Sequence, residues 1–159
     1  MQQCILQTEM AKPKFDERAL ELLKLPLIGY FAFIGLDGHP RVLPTWFELA
    51  GTDILVESPV NSYKARSLRA NPLATLSVST SDIPYRIATV KGHVEIEEID
   101  FPARVEVMGR LARYYLGDER GQRYEREMRP GPGDLLRLRA REAKYEELLA
   151  RLTVPGSPS

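Results

Sequence analysis

The chain has 159 residues, 43% of them apolar, which is enough for one domain around a substantial core. Lys plus Arg balance Asp plus Glu at 22 each, so net charge carries no footprint of a nucleic-acid or membrane partner. One cysteine, Cys4, excludes an intramolecular disulfide; with only His39 and His93 beside it, a Cys/His zinc site is not expected, nor any other metal. The first residues lack the apolar core of a signal peptide and no later stretch reaches membrane-spanning length, which makes a reducing cytoplasm the expected location.

Residues 1–14 carry no pattern and are expected to be flexible. Residues 15–24 place Phe15, Ala19, Leu22 and Leu23 at helical spacing, and Pro26 stops that helix. From residue 28 the period becomes two. A strand runs into the Asp37-Gly38 turn, a second covers residues 41–50 with Leu43, Thr45, Phe47 and Leu49 on one face, and a third covers 54–58. Three strands on short loops predict an antiparallel meander. A short helix over 62–70 closes at Asn71-Pro72, and strands follow at 73–80 and 86–97. Residues 102–128 read as two helices broken near Gly117. After the Pro130–Gly133 punctuation, Leu135, Leu136 and Leu138 suggest a sixth strand, residues 141–152 a charged terminal helix, and 153–159 a disordered tail. The expected architecture is mainly β with α, an α+β fold: a six-stranded antiparallel split β-barrel with flanking helices, forming a single domain over 15–152.

Chemistry concentrates in residues 57–69, where a strand ends in Glu57-Ser58-Pro59 and a short helix begins at Ser62-Tyr63-Lys64-Ala65-Arg66. Helix N-termini present unpaired N–H groups and a partial positive charge, which attract phosphate. Ser62, Arg66 and Arg69 share a helical face, whereas Lys64 points nearly opposite Arg66 unless it sits in the turn ahead of the helix. By residue chemistry alone, a solvated basic face accounts for these cations more often than a phosphate site does.

The segments GYFAFIGLDGHPRVLPTWFEL, ILVESPVNSYKARSLRANPLATLSVST and ATVKGHVEIEE together resemble the pyridoxamine 5'-phosphate oxidase-like FMN-binding split-barrel superfamily. The resemblance covers residues 15–98, and its most specific part is the strand end, the S-x-K-x-R-x-L turn-helix and the Asn-Pro that follows. It implies that Lys64 binds the cofactor phosphate, that Glu57 and Ser58 flank it, and that Ser62 and Tyr63 sit in the adjacent turn. Arg66 would be a second phosphate contact. Leu43, Pro44, Thr45 and Trp46 would line the flavin ring, and Arg86 would reach the partner's cofactor across a homodimer interface.

The same resemblance departs at two points. No histidine follows His93, unlike the C-terminal arginine and histidine of true pyridoxamine-phosphate oxidases, which argues against B6 oxidation. Ile87 stands where oxidases carry a glutamine that touches the flavin. Some relatives use the deazaflavin coenzyme F420; a basic residue at position 62 would favour it, and Ser62 there favours FMN. The expectation is therefore an FMN-dependent oxidoreductase acting on a small molecule, with an F420-dependent reductase or a non-enzymatic flavin- or haem-binding protein as alternatives.

Neither a Ser-His-Asp arrangement nor a pair of general-acid carboxylates stands out, so no catalytic side chain is assigned; a flavin would carry the redox chemistry itself. Trp46 is read as stacking on a ring or packing in a core or interface, His39 and His93 as solvent-facing, and Cys4 as an ordinary thiol. Arg104, Arg110, Arg113, Arg120, Arg123, Arg126 and Arg129, interleaved with acids, read as a salt-bridged surface.

Overall fold

Residues 14–149 are described in the computed structural model. The expected flexible segment, apart from Lys14, and the expected tail lie outside them, as does Cys4. Along the chain the elements are β1 (Lys14–Phe15), α1 (Glu17–Leu23), β2 (Gly29–Ile34), β3 (Pro40–Thr45), β4 (Glu48–Ala50), β5 (Asp53–Pro59), α2 (Tyr63–Ala70), β6 (Leu73–Ser79), β7 (Tyr85–Ile99), α3 (Phe101–Leu116), α4 (Asp118–Glu127) and β8 (Gly133–Leu148).

Side-chain caps set several boundaries. Asp16 Oδ1 accepts the Arg18 N–H at 3.0 Å ahead of α1, and Asp100 Oδ1 accepts the Ala103 N–H at 3.0 Å ahead of α3, satisfying donors that have no intrahelical partner. Gly117, at φ 82°, ends α3 in a conformation that costs a side-chain-bearing residue dearly, and α4 starts at once. The helix pair expected over 102–128 forms with its break at Gly117.

The strands make one sheet in the order β3-β2-β6-β7-β8-β5-β4, antiparallel at every step, with β1 added in parallel to β8. The expected α+β class and antiparallel sheet are found, with three corrections. Eight strands form rather than six, and the hydrogen-bonded path stays open at β3 and β4 instead of closing.

Residues 141–148, expected as helix, continue β8. Their Glu, Ala, Lys and Leu favour helix locally, but the 15-residue β7 offers a long row of backbone donors and acceptors that must be paired. β8 pairs with it from Gly133 to Leu148. The register shifts between Lys91 and Gly92, leaving Arg141 as an extra residue on β8. Buried positions therefore switch parity, from Leu136 and Leu138 before the bulge to Ala143 after it, and the alternation that marks a strand is masked. Gly92 is required there, since a Cβ would stand 1.9 Å from the Arg139 carbonyl oxygen.

The third correction falls on residues 41–50. They are two strands: β3 pairs with β2 and β4 with β5, with a corner at Trp46 and Phe47. Phe47 is 1% exposed while Leu43 is 44% exposed, so these two do not share a buried face as expected. The core gathers Phe31, Phe47, Val56, Leu76, Val90 and Leu138 between the sheet and helices α1 and α2; burial of each large apolar side chain stabilises by about 1.5–3 kcal/mol. Among the described residues no helix is long and apolar enough to cross a membrane.

Candidate functional site

The corner between β3 and β4 opens onto a cavity of about 390 Å3 lined by Ile28, Pro44, Thr45, Trp46, Glu57, Met108, Leu111 and Tyr124. Four residues expected to bind cofactor, Pro44, Thr45, Trp46 and Glu57, thus share one space. Trp46 stacks on Tyr115 with ring centroids 5.3 Å apart and planes 6° from parallel, and meets the edge of Tyr124 at 5.8 Å. The Tyr115 hydroxyl donates to the carbonyl of Leu27 at 3.0 Å and accepts the N–H of Phe47 at 3.3 Å. Removal from water pushes the Tyr115 phenol up to about 12, with the Phe47 hydrogen bond opposing. This ring pins the corner, so Trp46 belongs to the cavity wall.

At the far side of Glu57 the end of β5 turns into α2. Ser58, 1% exposed, shares a hydrogen bond between hydroxyls with Ser62 at 2.8 Å, and Ser62 Oγ accepts the Ala65 N–H at 3.1 Å. Ser62 is therefore the N-cap of α2, and the remaining first-turn N–H groups are left for an external acceptor. The turn before it is locked from beneath. Asn61 adopts φ 54°, which Asn tolerates better than most residues, and Asp134, fully buried, accepts its N–H at 2.9 Å and the Arg69 guanidinium at 3.1 Å.

Lys64 is half-buried next to Glu57 and has no hydrogen-bond or ion-pair partner among the described residues. Burial holds its ammonium below the ordinary lysine value, and the field of Glu57 offsets part of that. Glu57 itself is bonded to Arg104, whose Nε lies 2.5 Å from Oε1; Arg104 also donates to the carbonyls of Gly131 and Pro132 at 3.0 and 3.1 Å. Arg104 is 7% exposed, which corrects its reading as a surface arginine. Arg110 and Arg113 do lie at the surface, paired with Glu48, Glu106 and Glu125.

Lys64 and Arg66 do not converge. Arg66 is exposed and lies over the Tyr63 ring at 5.8 Å, while Arg41 lies over the same ring at 5.5 Å and pairs with Asp37 at 2.5 Å. Tyr63 thus ties α2 to the β2–β3 hairpin. Leu43 is exposed on β3, outside the cavity lining. Arg86 is exposed at the start of β7, the opposite end of that strand from Ile99, which pairs with Gly133 near α2; within one chain it is apart from the site. His39 is exposed as expected; His93 is partly covered, 3.8 Å from Glu95.

Sequence reasoning missed Arg41, Arg104, Tyr115, Tyr124 and Asp134. Arg41 had a local signal, standing four residues after Asp37; the other four come from the α3–α4 segment or β8, and no local spacing ties them to residue 57 or 64.

A family model described as pyridoxamine 5'-phosphate oxidase matches residues 15–147. Among solved structures, one named as an F420 reductase is 26% identical, covering 78% of this chain and 94% of its own, with a TM-score of 0.63. A conserved hypothetical protein from Mycobacterium tuberculosis is 23% identical over 94% of each chain, with a TM-score of 0.65. A FAD-binding protein from Mesorhizobium loti is 18% identical, covering 82% of this chain and 93% of its own, with a TM-score of 0.58. No curated protein matches the sequence.

Proposed function

The chain belongs to the pyridoxamine 5'-phosphate oxidase family, and on that footing we propose that it is an FMN-binding oxidoreductase that acts on a small molecule as a cytoplasmic homodimer. The observation that carries this reading is Lys64, a half-buried ammonium with no hydrogen-bond or ion-pair partner among the described residues, in the first turn of the capped helix α2. A partly desolvated cation that no anion bonds is costly unless one completes it, and first-turn N–H groups add donors for the same anion. These residues fit a phosphate.

In this reading Lys64 and the first turn of α2 hold the phosphate, with the Ser58–Ser62 hydroxyl pair fixing the turn. Pro44, Thr45 and Trp46 bound the ring from the corner, and Tyr124 and Met108 narrow the cavity and exclude water. FMN, when bound, supplies two-electron redox chemistry; the protein binds, orients and desolvates. A reduced pyridine nucleotide is the expected electron donor.

Face-to-face dimerisation draws support from Tyr30 on β2, Val42 on β3 and Leu73 on β6, large apolar side chains on one face of the sheet and 52–63% exposed. Pro40 and Pro44 deprive β3 of donors for edge-to-edge pairing. Such a dimer is what would carry Arg86 to the partner's site.

A second reading, an F420-dependent reductase on the same scaffold, is favoured by the 26% identity to the structure so named. A visible absorption spectrum of the purified protein, with released cofactor identified by mass spectrometry, separates the two. Recovered FMN that NADH or NADPH reduces supports the first reading, and F420 supports the second. A colourless protein that refuses both cofactors sinks them together.

A further inference from the structure

Glu57 stands where an anion should hinder the binding of a phosphate, because its carboxylate lies in the field of Lys64 and is itself only 14% exposed. The strand cannot avoid this placement: Glu57 pairs with Leu135 on β8 while its neighbours Val56 and Ser58 are buried in the core. What compensates it comes from outside the sheet. Arg104 enters from the first turn of α3 and donates through Nε to Glu57 Oε1 at 2.5 Å. A second donor, Nη1, holds the carbonyls of Gly131 and Pro132. Room for the arginine is built in, since a Cβ at Gly133 would stand 2.6 Å from Arg104 Cδ and 3.1 Å from the Ser58 carbonyl oxygen.

Arg104 from α3 thus bonds this buried carboxylate, and Lys64 from α2 lies within its field without bonding it. Asp134, the other buried acid nearby, is already engaged by Arg69 and the Asn61 N–H. We propose that Arg104 is a positioning residue that neutralises Glu57 and so leaves the Lys64 ammonium available to an incoming phosphate. Without Arg104, Glu57 would be an uncompensated buried anion whose remaining cation is Lys64, and the ammonium would turn to it. The α3–α4 segment then sets the charge of the site as well as walling it. This inference rests on the phosphate reading of Lys64.

The test starts without cofactor, from the Lys64 Nζ titration followed by NMR in wild-type protein, Arg104→Gln and Arg104→Gln/Glu57→Gln. Arg104→Gln is expected to raise the Lys64 midpoint by about one unit, and the double variant to return it to the wild-type value or below. In parallel FMN titrations, Arg104→Gln weakens binding roughly tenfold and the added Glu57→Gln restores most of that loss. Should Arg104→Gln fail to fold, Arg104→Lys keeps the charge while giving up the two carbonyl bonds, and its Lys64 midpoint stays close to wild type.

A midpoint unmoved by Arg104→Gln, or moved as far upward by Arg104→Lys, overturns the inference. So does an FMN loss that Glu57→Gln fails to rescue, which would make Arg104 a structural strut. If wild-type protein binds no FMN the functional reading falls, while the Lys64 titration still decides the charge compensation.

Discussion

At one end of the candidate site stand Glu57, Ser58, Ser62 and Lys64, eight residues of chain in which a strand end, a capped turn and a helix start supply hydroxyls, N–H groups and an ammonium. At the other end stand Trp46, Tyr115 and Tyr124, rings brought together across 78 residues of sequence by the return of α3 and α4 over the β3–β4 corner. The first end is polar and local, and its energetics are those of single hydrogen bonds and one charge. The second is apolar and non-local, and its energetics are those of packing. Charge recognition can therefore be removed with little effect on folding, whereas the aromatic wall cannot.

Trp46→Ala should be the most damaging change. It removes the ring that Tyr115 and Tyr124 both touch, at a cost of about 2–4 kcal/mol in denaturant unfolding. A loss below about 0.5 kcal/mol would erase the contrast between the two ends. Tyr115→Phe removes a hydroxyl that serves the Leu27 carbonyl and the Phe47 N–H and should cost about 1–2 kcal/mol.

The same phenol carries a pH signature. Its value is raised to about 12 in the folded protein, so its stabilisation is whole below the unfolded tyrosine value near 10 and is lost as pH rises from there toward about 12. Stability curves over that window should fall more steeply for wild type than for Tyr115→Phe; parallel curves would mean that the hydroxyl is not buried against the corner.

At the polar end the effects are smaller. Ser62→Ala removes the cap and the Ser58 partner, for about 1 kcal/mol of stability, and should weaken FMN binding as the turn loosens; unfolding and titration on one sample would show the two together. The smallest effect is the pH dependence of binding itself. Because burial lowers the Lys64 value, FMN affinity should begin to fall with rising pH before an ordinary lysine would deprotonate. A flat profile up to the ordinary lysine value would place the ammonium outside the site.

The same division explains what could be read from sequence. The turn-helix at 58–66 was legible because cap, cation and strand end are neighbours in the chain. The antiparallel sheet was legible from β2, β6 and β7, where alternation is clean. The strand at 141–148 was hidden twice, by helix-favouring residues and by the bulge at Arg141 that reverses its parity. Arg104 looked like one surface arginine among many, since its burial depends on Gly133 and on carbonyls at 131 and 132. Trp46 was recognisable as a ring in search of a neighbour, but Tyr115 and Tyr124 could be paired with it only once the helices had folded back.

The most direct test compares FMN with riboflavin, which carries the same ring without the phosphate, in wild-type protein and in Lys64→Ala. Wild type should bind FMN about tenfold or more tightly than riboflavin, and Lys64→Ala should abolish most of that preference while leaving the unfolding midpoint nearly unchanged. An equal preference for FMN in both proteins would contradict the placement of the phosphate at Lys64 and the α2 turn.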